Sequence, residues 1–234
     1  MKNFSNLYIF LFSSALVLIV AAALSFTALT LKPLQDKNVE IERQRNILSA
    51  LQVESTAEDA EAKYNKYIKQ SVVIKSNGSI VEGEIAKDID LKKQNQKPVD
   101  ERLLPIYIAE KDGKSYIVIP VRGTGLWGPI WGNVALDNDM STIYGVNFDH
   151  SGETPGLGAE INTSGFQQQF VNKQIFDSSS KFVSVKVEKP GTYTPDNHTV
   201  DAISGGTITS KGLQDMLKNS LEPYQTYFSQ HKSN

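Results

Sequence analysis

A short stretch at positions 201–210 carries the residue types that bind phosphate. Its sequence is Asp-Ala-Ile-Ser-Gly-Gly-Thr-Ile-Thr-Ser, and apolar residues at helical spacing follow it from Leu213 to Leu221. The first backbone N–H groups of a helix have no partner within it, and the helix dipole adds partial positive charge there. The sequence therefore predicts an anion-binding loop before a helix whose N-cap is Thr209 or Ser210.

Two adjacent glycines in this stretch, Gly205 and Gly206, favour a backbone that comes close to a ligand. Glycine has no Cβ and tolerates positive φ, so successive N–H groups in such a turn can form a concave anion site. The same composition is also typical of an ordinary turn between a strand and a helix, and the residues alone leave both interpretations open. A P-loop is excluded, because its Gly-Lys-Ser/Thr is absent.

The pattern Asp201-x-x-Ser204-Gly205-x-Thr207 resembles the flavinylation motif Asp-x-x-Ser/Thr-Gly-Ala-Thr of the FMN-binding domain family. In that family a flavin transferase attaches FMN through a phosphoester to the final threonine. The resemblance implies that Thr207 carries covalent FMN and that Asp201 is the acidic residue that the transferase requires. Gly206 stands where the family motif has alanine, a difference that removes no functional group.

Two blocks upstream extend the resemblance. Gly-Leu-Trp-Gly at 125–128 and Glu-Thr-Pro-Gly-Leu-Gly at 153–158 are similar to motifs of the C subunits of Na⁺-translocating NADH:quinone reductases. The homologous G subunit of ferredoxin-linked ion-pumping complexes, which tends to have Gly-Tyr-Gly-Gly at the first block, is the alternative within this class. A non-redox, membrane-anchored periplasmic module whose Gly-rich turn binds a partner or a free anion is the alternative from another class.

The side chains in these blocks suit a flavin, whose ring is flat and largely apolar with polar atoms at its edge. Apolar side chains on glycine-flanked loops can cover such a ring, while a carboxylate and a hydroxyl can meet its edge or the ribityl chain. The same residues could instead be core anchors and a surface turn. The predicted contacts besides the flavinylation motif are Leu126, Trp127, Glu153, Thr154, Leu157, Gly158 and, at the end of a later strand, Lys189.

The resemblance implies an electron-relay role. Such subunits pass electrons one at a time between other redox centres, toward a flavin on the B subunit, while quinone reduction drives sodium export. The implied partners are the B subunit, the pair of D and E subunits, and the flavin transferase. NADH is bound elsewhere in such a complex, and no Gly-x-Gly-x-x-Gly opens a helix in this sequence.

Other function classes find little support. The sequence has no Ser-His-Asp order, no His-Glu-x-x-His and no carboxylate cluster, so we predict neither catalytic residues of a hydrolase nor a metal site. The absence of cysteine excludes iron–sulfur ligation by thiolates. The net charge is −2 with no basic patch, which argues against nucleic-acid binding. His150, the only histidine near a motif, is predicted to lie in a loop.

The N-terminal segment is apolar and has no charged residue between positions 3 and 31. A helix of roughly 20 apolar residues spans a bilayer, so we predict a transmembrane anchor over residues 1–34. A cleaved signal peptide is the competing interpretation, although its apolar core has only about 7–15 residues. The flanking lysines are nearly balanced and set no orientation. The resemblance implies a single-pass protein of the bacterial inner membrane with its FMN domain in the periplasm.

The rest of the chain predicts a connecting region at 35–100 and an FMN-binding domain at 101–234. Within the connecting region, the helix continues out of the membrane, a capping box at Ser55–Glu58 begins a second helix that includes Ile68, and residues 87–97 form an exposed loop.

Strand patterns dominate the region after Pro105. Hairpins at Asp112-Gly113 and Asn138-Asp139 precede a short helix over 165–171, a strand over 181–187 and the final helix. This order predicts the α+β class, with a largely antiparallel sheet and flanking helices.

Overall fold

The computed structural model describes residues 5–232 and contains two compact units, Met1–Arg43 and Gln44–Asn234. The first four residues of the predicted anchor and the last two of the predicted domain lie outside the described residues. In chain order the helices and strands are α1 (Asn6–Ala50), α2 (Ala60–Tyr67), β1 (Ile68–Ile74), α3 (Leu91–Gln94), β2 (Leu104–Lys111), β3 (Lys114–Thr124), β4 (Pro129–Leu136), β5 (Ile143–His150), α4 (Ser164–Gln168), β6 (Lys186–Glu188), β7 (Thr199–Asp201), α5 (Thr207–Leu221) and α6 (Gln225–His231).

The first unit consists of the N-terminal part of α1. From Leu7 to Leu34 its large apolar side chains are exposed, on every side of the helix. Such a surface is stable in lipid rather than in water. Among residues 5–232, α1 is the one helix that is long and apolar enough to span a membrane, as the sequence predicts.

The second unit is built on a five-stranded antiparallel sheet in the order β1-β2-β3-β4-β5. Both predicted hairpins are present. Asp112 and Gly113 have φ of 52° and 75°, the left-handed backbone that a two-residue hairpin turn requires. In the second hairpin, the Asp139 carboxylate accepts hydrogen bonds from the backbone N–H groups of Ser141 and Thr142, which holds the turn.

Alternate residues of each strand point to opposite sides of the sheet. Both sides are buried, because a core cluster covers each of them. Ile117 and Ile119 of β3 pack in the core cluster that includes the apolar face of α5. Val118 points the other way and packs with Ile47 and Leu51, at the end of α1. The fold is therefore α+β with an antiparallel sheet between helices, which confirms the predicted class.

The structure corrects the connection between α1 and the sheet. The reciprocal pair before α2 is Thr56 and Asp59, each of whose backbone N–H groups donates to the other's side chain, one residue later than the predicted box of Ser55 and Glu58. Ile68, predicted to pack from the second helix, begins β1 instead. Its β-branched side chain suits a strand, and its neighbours in β1 pair with β2.

The segment predicted as a loop at 87–97 contains a 3-10 turn and α3. The Asp90 carboxylate caps α3 by accepting hydrogen bonds from the N–H groups of Lys92 and Lys93. Gln94 is buried, and its side-chain oxygen accepts from the Leu103 N–H. Part of this polar segment is therefore structured by side-chain hydrogen bonds to the backbone.

The predicted strand at 181–187 forms only in its last residues, as β6. Ser184 has φ of 60°, which interrupts an extended chain, and its N–H shares the Ile175 carbonyl with the N–H of Val183. β6 pairs in parallel with β7, a strand that the sequence pattern does not predict.

Candidate functional site

A cavity of about 210 Å³ lies where three segments of the second unit meet. These segments are the turn between β3 and β4, the loop after β5, and the beginning of α5. The lining residues are Leu126, Glu153, Thr154, Leu157, Gly158, Gly205, Gly206, Thr207, Ile208 and Thr209. The structure thus brings most of the predicted flavin contacts together, although they are far apart in sequence.

Helix α5 begins at Thr207 and its N-cap is Gly206, so the predicted N-cap at Thr209 or Ser210 is wrong. Both hydroxyls are inside the first turn and have tertiary partners instead. Thr209 Oγ1 donates to Glu153 Oε2 at 2.5 Å, and Ser210 Oγ accepts from the Ile203 N–H at 3.1 Å. No side chain caps α5, so the N–H groups of Thr207, Ile208 and Thr209 can donate to a ligand.

Among the hydroxyl residues of the first turn of α5, exposure separates Thr207 from the others. Thr209 and Ser210 are buried, with 1% and 2% of their surface exposed, whereas Thr207 is exposed and lines the cavity. Thr207 is therefore the hydroxyl in this turn that an external group can reach.

Glu153 is the buried acidic residue of the site, with 5% of its surface exposed. Its Oε1 accepts from the Trp127 N–H at 2.9 Å, and its Oε2 accepts from Thr209. Glycines leave room for the carboxylate: a Cβ on Gly125 would lie 2.5 Å from Oε1, and one on Gly158 would overlap Oε2. The carboxylate thus joins all three segments of the cavity.

Exposed apolar side chains surround the cavity. Leu126, Leu157 and Ile208 line it and are 48%, 41% and 58% exposed. Trp127 lies outside the lining but is adjacent in sequence, and it is 68% exposed. A group of exposed apolar residues around a concave site is typical of a ligand or partner surface.

Three other predicted site residues lie outside the cavity lining. Asp201 is in β7, where its N–H donates to Gln169 Oε1 and its carboxylate accepts from the Tyr193 hydroxyl at 3.0 Å. Partial burial and that hydrogen bond raise the pKa of Tyr193. Ser204 is exposed just before the glycine pair, and Lys189 is exposed just after β6.

Ile208 and Thr209 line the cavity but were not among the predicted contacts. The sequence could have indicated Ile208 as a cavity residue, because it is an apolar residue beside the motif and off the buried face of α5. The role of Thr209 depends on Glu153, which is 56 positions away, and local sequence carries no signal for such a pair. His150 ends β5 rather than lying in a loop, and its Nδ1 accepts from the Glu153 N–H.

The site's chemistry fits FMN in both of its parts. An uncapped helix N-terminus beside Gly205, whose φ is 73°, presents N–H groups suited to a phosphate. The apolar rim suits a flat ring. No group of three or more His, Asp or Glu among residues 5–232 is placed to hold a metal ion.

Known proteins are similar to this chain over most of its length. Residues 125–222 match the FMN-binding domain family. The chain is 33% identical over 242 residues to the C subunit of the Na⁺-translocating NADH-quinone reductase of Neisseria meningitidis, covering 91% of this chain and 93% of the relative. For the C subunit of Haemophilus ducreyi the identity is 32% over 232 residues, covering 90% and 88%.

Solved structures show the same fold. The crystal structure of the C subunit from Parabacteroides distasonis is 41% identical, with a TM-score of 0.79, covering 85% of this chain and 97% of that one. The Shewanella oneidensis structure is 29% identical, with a TM-score of 0.70, covering 82% of this chain and 97% of that one. Taken with the cavity and the motif, these similarities show that the chain belongs to the C-subunit family of the Na⁺-translocating NADH-quinone reductase, an FMN-binding component of an enzyme complex.

Proposed function

We propose that this protein carries FMN bound through a phosphoester to the Thr207 hydroxyl. In that role it relays electrons toward the flavin of the B subunit, as part of quinone reduction coupled to sodium export. The observation that carries the proposal is the position of Thr207, an exposed hydroxyl at the first position of an uncapped helix and at the edge of an apolar-rimmed cavity.

The phosphate end of the site is provided by backbone groups. A phosphoester retains one negative charge and two free oxygens, which the N–H groups of the first turn of α5 can bind. The lining residues include no lysine or arginine, so the helix end supplies the positive potential there. Asp201 and Ser204 lie outside the cavity, which leaves them accessible for recognition by a flavin transferase.

The ring end of the site is apolar and small. Leu126, Leu157 and Ile208 offer surfaces for the ring, and Thr154 offers a hydroxyl for its polar edge or for the ribityl chain. The cavity is smaller than the about 300–1,000 Å³ that encloses a drug-sized ligand. Bound FMN supplies stepwise electron transfer, and an incompletely enclosed ring is suited to exchanging electrons with a partner.

The proposal also covers location and assembly. Residues 1–34 are the single membrane anchor, residues 35–100 the connecting region, which contributes β1 to the sheet, and residues 101–234 the FMN-binding domain. The exposed apolar surface of α1 supports the anchor, which we assign to the bacterial inner membrane with the FMN domain in the periplasm. The proposed partners are the B subunit, the pair of D and E subunits and the flavin transferase.

The test is coexpression of the full chain with a flavin transferase, followed by intact mass and in-gel fluorescence after denaturation. We expect a mass increase of one FMN less water, complete loss of this adduct in Thr207→Ala, and its retention in Ser210→Ala, because the Ser210 hydroxyl is buried. An adduct retained in Thr207→Ala would move the attachment site. A colourless wild-type protein in a transferase-positive host would favour the non-redox alternative.

A further inference from the structure

We propose that Glu153 is a positioning residue, whose carboxylate links the turn at 125–128 to the first turn of α5 and sets the gap that receives the ring. This inference rests on the proposed function only in assigning the cavity to a flavin. It adds to the predicted role of Glu153 as a flavin contact, because each of its two oxygens also accepts a hydrogen bond within the protein.

The carboxylate connects residues that are far apart in the sequence, in two segments that also touch where Gly212 lies against Thr124. Trp127 is 26 residues before Glu153, and Thr209 is 56 residues after it. Glu153 Oε1 accepts a hydrogen bond from the Trp127 N–H, and Oε2 accepts one from the Thr209 hydroxyl. Because one rigid carboxylate spans the two donors, movement of α5 changes the position of the turn that carries Leu126.

The exposure of Trp127 makes this link informative. Its side chain is largely in solvent, so packing does little to hold the residue, yet its N–H is bonded to a buried carboxylate. Hydrogen bonds to charged groups are stronger than those between neutral groups. We therefore expect the Trp127 amide to exchange slowly with solvent, and its protection to depend on Glu153.

The first measurement is amide hydrogen exchange at Trp127 in the full chain in detergent, without flavin. Glu153→Ala removes the acceptor and Thr209→Val removes only the second donor. Loss of a hydrogen bond to a charged group shifts an equilibrium roughly tenfold or more, so we expect exchange at Trp127 to accelerate by that factor in Glu153→Ala. Thr209→Val also accelerates it, although Thr209 does not touch the Trp127 amide.

Two further variants separate positioning from general destabilisation. Thr209→Ser keeps the hydroxyl and retains slow exchange. Glu160→Ala removes another glutamate after β5, one that accepts from the Gly156 N–H and lies outside the cavity lining. This variant leaves amide exchange at Trp127 unchanged. Unchanged exchange at Trp127 in both Glu153→Ala and Thr209→Val overturns the proposal.

The second measurement uses the flavinylated chain. Every variant keeps Thr207, so the adduct persists by mass, while the fluorescence anisotropy of the ring falls in Glu153→Ala and Thr209→Val and stays high in Thr209→Ser. An adduct with unchanged anisotropy in Glu153→Ala overturns the role in holding the ring. Absence of the adduct on the unaltered chain contradicts the proposed function instead, and the exchange experiment still tests the link.

Discussion

The C-terminal end of α1 and the N-terminal end of α5 both lie against the sheet. Each of these ends is hydrogen-bonded to one charged side chain. At the C-terminal end of α1, the Lys111 ammonium donates to the carbonyls of Leu51 and Gln52 at 3.0 and 3.2 Å, and to the Tyr144 hydroxyl at 2.9 Å. At the N-terminal end of α5, the Glu153 carboxylate accepts from Thr209. In both places the sign of the charge complements the helix dipole.

The two ends differ in how many backbone groups remain free. At the end of α1, Gln52 has φ of 54°, its N–H donates to the Ser49 carbonyl, and the Val53 N–H donates to the Leu48 carbonyl. This is a Schellman motif, in which the helix closes itself. The beginning of α5 has no side-chain cap. A closed end serves stability, whereas an open end is available to a ligand.

A glycine permits the close approach in each place. A Cβ on Gly145 would overlap the carbonyl oxygen of Ala50, at the end of α1. A Cβ on Gly212 would overlap the carbonyl oxygen of Thr124, beside the turn at 125–128. These neighbours are backbone atoms, which cannot move aside as a flexible side chain can.

The largest expected effect tests this pair of contacts. Gly145→Ala lowers the free energy of unfolding by about 2–3 kcal/mol through overpacking, with no change in covalent flavin. Gly212→Ala lowers it by about 1–2 kcal/mol, because alanine's better helix propensity offsets part of the strain. Chemical denaturation of the full chain in detergent measures both. Only Gly212→Ala should also lower the fluorescence anisotropy of the flavin ring. An equal fall in Gly145→Ala would contradict the division between the two ends.

The next effect tests the cation at the closed end. Lys111→Met keeps the length of the side chain but leaves carbonyls at the end of α1 without their charged donor, so it lowers the free energy of unfolding by about 2 kcal/mol. The yield of flavin adduct per folded protein stays at the wild-type value. Lys114→Met, at an exposed position across the same hairpin, is the control and stays within about 0.5 kcal/mol of wild type. A similar loss in both variants would remove the special role of Lys111.

The smallest effects separate the two neighbouring glycines of the open end. Gly205→Ala costs about 1 kcal/mol, because φ is 73° and the new Cβ would lie 2.6 Å from Leu157 Cδ2. Gly206→Ala costs less than Gly205→Ala, because φ is −103° and the only close neighbour that must shift is the side chain of Ile203, which the Cβ would meet at 2.9 Å. Unfolding and the rate of flavin attachment are measured for both. Slower attachment in Gly206→Ala would show that glycine, rather than the family's alanine, is required here.

Local sequence was sufficient where the determining interactions are local. The Asp112-Gly113 turn and the alternating strands beside it predict a hairpin, because positive φ and period-two burial depend on adjacent residues. The uncharged apolar run predicts the long helix α1 for the same reason. The contiguous residues from Asp201 to Thr207 carry the family resemblance, which the comparisons confirm at the level of the FMN-binding domain and the C-subunit family.

Tertiary structure decided what depends on distant partners. Thr209 and Ser210 look like helix caps by composition, but Glu153 and the Ile203 N–H engage their hydroxyls, so the helix begins earlier and leaves Thr207 exposed. The parallel pairing of β6 with β7 likewise has no local signal. The sequence by itself determined the long helix, the two hairpins and the motif, because near neighbours control backbone preference. Only the folded chain determined that Thr209 and Ser210 are buried while Thr207 is exposed, because burial and hydrogen-bond partners come from residues remote in sequence.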